Sequence, residues 1–242
     1  MPVGTVWWAD LGMLRPWHLR LLDDTERRRL ATIVHPRSRR QSTLGAVLLR
    51  LAVARHTGAS ADRLRVVRAC PSCPGQHGRP RLPDHPVGVS VSHSGRRVAV
   101  AVGDHAGADG WTGLGVDVER LDPGRPPADL ARWCRQEAVV KATGDGLRVR
   151  VRDVTVTRSR LLGYPGRPEL RGHLWDLRPG PGYRAAAALV GPPPLPPRPR
   201  IVERSAAALL TGRRRRPARG VRRARRVRLA RRARCDRGFP AA

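Results

Sequence analysis

Apolar positions along this chain repeat with two different periods, and each period predicts its own kind of element. Val3 to Trp8 reads as a first strand, and DDTERRRLATIV, Asp23 to Val34, predicts a helix opened by an Asp/Thr cap. In STLGAVLLRLAVARHTG, Leu44, Val47, Leu48 and Leu51 recur at helical spacing, and Gly58 stands where the helix should stop. LRVVRA, VGVSVSHS and VAVAVG switch to the two-residue period of strands, and a Pro/Gly-rich turn region from Pro71 to Pro86 follows the first of them. GLGVDVE continues this strand pattern.

The helical period returns from Asp129 to Thr143, with Gly144 and Gly146 ending it. Val151 to Thr157 and Tyr183 to Val190 are again strand-like, GPPPLPPRPR predicts an extended linker, and IVERSAAALL resumes apolar patterning. The expected fold class is α+β, in two halves of similar rhythm without a sequence repeat. Residues 1–106 form the first half and 107–212 the second. Residues 213–242 are an Arg-rich tail with no sustained apolar face, which predicts disorder or a stretch beyond the domain's own end rather than a nucleic-acid arm.

Composition alters this picture in one respect. A formal net charge of +29 suggests a polyanion partner, but the tail holds 14 Arg against one Asp and so carries +13 of it, leaving +16 on the first 212 residues. One Lys, one Phe and no Asn beside abundant Arg, Ala, Gly and Pro point to GC-rich coding more than to a surface selected for basicity. Nucleic-acid contact is therefore expected only non-specifically, through the tail. No apolar run is long enough for a membrane span and MPVGTVWWAD lacks the marks of a signal peptide, so a cytoplasmic location is expected, as are free thiols at four scattered Cys.

Candidate chemistry begins in GLGVDVER. On a strand Asp117 and Glu119 point to one face while Val116 and Val118 point to the other. Paired carboxylates either hold a cation, for which oxygen ligands favour Mg²⁺, or form a solvated face neutralised by Arg such as Arg120. On the next helix Glu137 and Lys141 are four residues apart and share a face. Lys141 is the single lysine of the chain, which suggests a place where a compact, proton-exchanging ammonium serves and a planar guanidinium does not. SVSHSG brings Ser92 and His93 to a strand end that can meet an anion. CPSCPGQHG supplies Cys70, Cys73 and His77, three quarters of a zinc site, but with no second pair at finger-like spacing the reading is a turn with incidental thiols.

SVSHSG, GVDVE and then W-x-x-x-E-A-x-x-K-A-x-G-x-G-L, in that order, resemble the surfactin-type 4′-phosphopantetheinyl transferases. The resemblance takes in HGRPRL and the LLR-bearing helix near Arg50, and it spans roughly residues 3 to 212. It implies two similar α+β halves in a pseudo-two-fold arrangement, with coenzyme A in the cleft between them. It implies Mg²⁺ held by Asp117, Glu119 and Glu137, with Lys141 at the pyrophosphate. Ser92 and His93 would meet the 3′-phosphate of coenzyme A, Arg79 would serve the phosphates, and Arg29 and Ser42 are further cofactor-binding positions. The implied reaction is attack by a serine of an acyl or peptidyl carrier protein on the β-phosphate of coenzyme A, with release of 3′,5′-ADP. Glu137 and Lys141 are its catalytic candidates, Glu137 as general base, and a monomer is the expected state.

Two departures from that family pattern stand out. The family has a few tens of residues between GVDVER and the W-x-x-x-E helix, where this chain has only LDPGRPPADLAR, and Gln136 replaces the Lys that usually precedes the metal-binding Glu. A non-catalytic member that binds coenzyme A or a carrier protein, and an Arg-driven polyanion binder, are the competing readings.

Overall fold

A computed structural model describes residues 2–70, 73, 75–104, 113–194, 198 and 200–212; the Arg-rich tail lies outside them. The protein is mixed α+β, built on two sheets. β1 (Pro2–Asp10), α1 (Asp24–Ala31), α2 (Pro36–Thr57), β2 (Val87–Ser94) and β3 (Arg97–Asp104) come first. β4 (Gly113–Arg120), α3 (Pro127–Thr143), β5 (Thr155–Val156), β6 (Arg160–Gly163), β7 (Arg171–Asp176) and β8 (Tyr183–Gly191) follow, then β9 (Arg200–Ser205) and α4 (Ala207–Leu210). One sheet has the order β2-β3-β1-β9 and the other β4-β8-β7-β6-β5. All pairs are antiparallel except β1 with β9.

Alternation along the strands decides what each face meets. Val98, Val100 and Val102 of β3 join Leu44, Val47, Leu48 and Ala52 of α2 in one core cluster. Ala99 and Ala101, on the other face, join Val116 and Val118 of β4 and Ala185 and Ala187 of β8 in a second cluster between the sheets. Ala186, Ala188 and Val190 turn outward to pack against Ala138, Val139 and Ala142 of α3. Both long helices end on a left-handed glycine, Gly58 at φ 82° and Gly144 at φ 79°, each returning its amide to the helix. Among the described residues no helix is long and apolar enough to cross a membrane.

Two expectations need correction. Leu64 to Ala69 is not a strand: Val67 forms a single bridge to Arg81, and the next ladder position on one side falls to Pro83, which has no N–H to donate. Val151 to Thr157 is mostly a tight turn, in which Val151 and Val154, three residues apart, both pack toward α3, so only Thr155 and Val156 remain as strand. β9 leaves the second half and pairs in parallel with β1, and the Ala206 amide donates to the Trp8 carbonyl at 2.8 Å.

The buried charge of α2 organises the first half. Arg50 is fully buried, donating from Nε to Glu26 at 2.7 Å, from Nη2 to Asp23 at 2.6 Å and from Nη1 to the carbonyls of Ala61 and Leu64 at 3.0 and 2.9 Å. Asp23 and Glu26 are themselves the capping box of α1, so one guanidinium ties that helix start and the 61–64 turn to α2. Arg50→Met strands a buried carboxylate and is expected to cost about 3–5 kcal/mol in urea denaturation. Arg50→Met with Glu26→Gln should recover part of that loss.

Candidate functional site

β2 and β4 lie at the seam of the two sheets, and serine hydroxyls join them. The amides of Val116, Val118 and Arg120 donate to Ser90, Ser92 and Ser94 Oγ at 3.0, 3.3 and 3.0 Å. Ser92 and Ser94 pass their own protons on to Asp117 Oδ1 at 2.9 Å and Glu119 Oε2 at 2.7 Å. The alternation read from GVDVE thus holds: the two acids share the face opposite Val116 and Val118, turned to α3. Gly113 and Gly115 occupy the same face, where a Cβ would stand 1.9 Å from the Ala142 or the Ala138 carbonyl oxygen. Only glycine lets α3 come this near, and its approach carries Glu137 and Lys141 to the two acids.

Lys141 does not turn back to Glu137 as a simple helix-surface pair. Its Nζ reaches across to Asp117 Oδ1 at 2.5 Å and Ser92 Oγ at 3.0 Å. The Ser92 hydroxyl, one donor and two acceptor sites, is thereby filled. Asp117 is 1% exposed, and its Oδ2 is buried with no hydrogen-bond partner among the described residues. The neighbouring Cys134 thiol is held neutral by burial and by the Asp117 charge, and donates to the Arg184 carbonyl at 3.5 Å. Burial raises the proton affinity of both Glu119 and Glu137, and the charge of Asp117 adds to each rise. Asp117 Oδ2 and these two glutamates are the oxygens that could hold a cation. Their atoms do not all lie within 4.8 Å of one another, and the Lys141 ammonium sits on the other Asp117 oxygen, Oδ1.

A cavity of about 400 Å³ opens over this cluster. Of the nine expected site residues, Arg29, Ser42, Ser92, His93, Asp117, Glu119, Glu137 and Lys141 line it. Arg79 does not. It lines an adjoining cavity of about 600 Å³ that shares Lys141, donates to the Ala142 carbonyl at 2.6 Å, and is held down to about 10 by burial. Sequence reasoning missed Arg68, which lines both cavities. Its one signal is an Arg inside the apolar run LRVVRA. Arg68 is likewise lowered to about 10, by burial and then by the charge of Arg29, and Nε of both arginines is buried with no hydrogen-bond partner among the described residues. The cavity therefore combines crowded carboxylates with two mutually repelling guanidiniums, a wall suited to a ligand that brings anionic groups and a cation together.

The shortened connection still delivers α3 to β4. Asp122 closes a turn by accepting from the Arg125 amide, the Arg125 guanidinium lies 5.0 Å over the Trp133 ring, and α3 opens on Pro127. Gln136 points into the core, donating to the Val154 carbonyl at 2.8 Å. Elsewhere, Cys70, Cys73 and His77 are brought together, their ligand atoms all within 4.8 Å, which their expectation as incidental turn residues does not account for.

No protein-family model and no curated protein matches this chain. What the site can do rests on its own geometry.

Burial lowers the His93 proton affinity, and Lys141 pushes the same way, so the imidazole is neutral near pH 7. A histidine lowered in the folded state binds fewer protons than in the unfolded chain. Its contribution is thus a loss of stability as pH falls from the ordinary value of about 6.5 through the folded one. Ring-proton NMR should find His93 titrating below about 6.5 and moving upward when pyrophosphate is added. A titration that pyrophosphate leaves unmoved would contradict an anion beside His93.

Proposed function

We propose that the protein transfers the 4′-phosphopantetheine group of coenzyme A to a serine of an acyl or peptidyl carrier protein, with Mg²⁺ as cofactor. The observation that carries this reading is the meeting of eight expected residues in one cavity, beside a buried carboxylate oxygen that has no partner among the described residues. Arg68, which the sequence did not nominate, adds a cation at the same wall. The reading includes two similar halves in a pseudo-two-fold arrangement with coenzyme A between them, supported by one long helix packed on each sheet, though β9 crosses over.

The residues present fit a hard divalent ion: Asp117, Glu119 and Glu137 offer only oxygens, and Asp117 Oδ2 lacks any other partner among the described residues. When bound, Mg²⁺ supplies charge neutralisation at the pyrophosphate. The chain's own groups do the rest. Arg29, Arg68 and neutral His93 bind the other phosphate. Lys141 gives up part of its hold on Asp117 to meet negative charge, which a flexible ammonium does more readily than a guanidinium. Glu137, with its raised proton affinity, accepts the serine proton as the serine oxygen bonds to phosphorus and the bond to the departing 3′,5′-ADP breaks. Phosphoryl transfer of this kind is chiefly positioning and charge stabilisation, which is what such a wall provides.

A second reading has one observation in its favour. The three carboxylates are not gathered within 4.8 Å of one another, and Lys141 already neutralises Asp117 through Oδ1, as expected of a chain that binds coenzyme A without turnover.

Incubation with an apo carrier protein, coenzyme A and Mg²⁺ should add the phosphopantetheine mass to the carrier. Coenzyme A binding by calorimetry without that mass would favour the non-catalytic reading. Asp117→Ala and Glu137→Ala are each expected to lower the rate by about three orders of magnitude, the effect of losing several kcal/mol of charge stabilisation. A near-full rate in either would break the assignment. Lys141→Arg keeps the charge and should still lose about tenfold or more in kcat, because a planar fork does not reproduce the single compact donor that meets Asp117 Oδ1 and Ser92 Oγ together.

A further inference from the structure

Cys70, Cys73 and His77 lie outside the carboxylate cavity, although Cys70 and His77 line the adjoining one, and the described residues around them are closely bonded. The Cys70 amide donates to the Gly75 carbonyl at 3.0 Å, and the Gly75 amide donates to Cys73 Sγ at 3.3 Å. Cys73 Sγ lies 3.0 Å from His77 Nε2. A Cβ on Gly75 would stand 2.7 Å from His77 Cδ2 and 3.1 Å from Cys73 Sγ, so the thiol and the imidazole close over bare backbone.

We propose that Cys70, Cys73 and His77 bind a thiophilic divalent cation of the zinc class, with the fourth position left to a water or another small ligand. The ligand atoms already lie within 4.8 Å of one another. Bonds of about 2.0–2.3 Å in a tetrahedron keep ligand atoms roughly 3.5 Å apart, so the Cys73–His77 contact opens by about half an ångström to admit the ion. Binding converts two thiols to thiolates and releases their protons to solvent, so affinity rises with pH. Sulfur ligands select this cation against Mg²⁺, which keeps the loop chemically separate from the carboxylate wall.

The site's place in the chain gives it a use. Arg68 stands two residues before Cys70 and Arg79 two residues after His77, and the Gly78 amide donates to the Arg68 carbonyl at 2.8 Å. A metal bridging the loop fixes the separation of two half-buried arginines that line the adjoining cavity. It acts as a staple in the wall of that cavity, which Cys70 and His77 themselves line, and no reaction step passes through it.

Cobalt provides the direct probe. The full chain, reduced and freed of metal by chelation, should bind a single equivalent of Co²⁺ with a thiolate-to-cobalt charge-transfer band that added Zn²⁺ bleaches. Cys73→Ser should lose most of that band, His77→Ala should shift the visible ligand-field bands, and Cys235→Ser should leave both unchanged. Circular dichroism of each variant establishes that it is folded. Should Cys73→Ser fail to fold, X-ray absorption of the zinc-loaded unsubstituted chain decides the matter, with two sulfurs expected at about 2.3 Å. Three results would overturn the proposal: no charge-transfer band in the reduced chain, a band untouched by Cys73→Ser, or an oxygen/nitrogen-only shell around zinc.

Discussion

The serine ladder between β2 and β4 is the interaction on which both the architecture and the site depend. In a continuous sheet the β4 amides would meet carbonyls. Here three of them meet Ser90, Ser92 and Ser94 hydroxyls instead. A hydroxyl that accepts still has a proton to give, and Ser92 and Ser94 give theirs to Asp117 and Glu119. Each such bond to a charged group contributes about 1.5–3 kcal/mol, enough to offset part of the cost of burying a carboxylate. The bonds that hold the two sheets edge to edge thus also fix the acids of the site.

Glycine on β4 does the complementary work from the other side. Residues Gly113, Gly115, Asp117 and Glu119 occupy successive positions on one face. The first two let α3 touch the strand, and the last two sit where the helix presents Glu137 and Lys141. Crowding then follows: three acids and one ammonium in a partly desolvated space, with both glutamates more basic than in water. Trp133 and the Arg125 guanidinium over it cover the first turns of α3. The wall is a consequence of packing a helix unusually close to a strand, and the charges are what that closeness makes costly and useful.

Period and chemistry were legible in the sequence to different depths. The alternation of VAVAVG assigns Val to the helix side and Ala to the space between sheets, and the terminal glycines Gly58 and Gly144 stand as the spacing foretells. β6 and β7 escaped notice because RLLG and RGHLWD are short and interrupted by Arg, His and Gly, so local pattern is weak and pairing with β8 decides them. The acids of β4 could be read from strand period alone. Arg68 could not, because its nearness to Arg29, 39 residues earlier, is a tertiary contact that local pattern does not carry. Nor does spacing reveal that Lys141 would prefer Asp117 to its helix neighbour Glu137, since that choice depends on how near the glycines let α3 come.

The parallel pairing of β1 with β9 has a consequence for synthesis on the ribosome. β1 is made well before its second partner, which appears only near residue 200, and the Trp8 indole and carbonyl wait for Glu203 and Ala206. His18, buried near the start of the chain, likewise finds its partner in the Leu210 carbonyl. Contacts of such wide sequence separation carry the loop-closure cost of most of the protein. The first sheet therefore cannot mature while the second is still being translated, and the nascent amino-terminal half must remain open at one edge until the carboxyl-terminal strand arrives to close it.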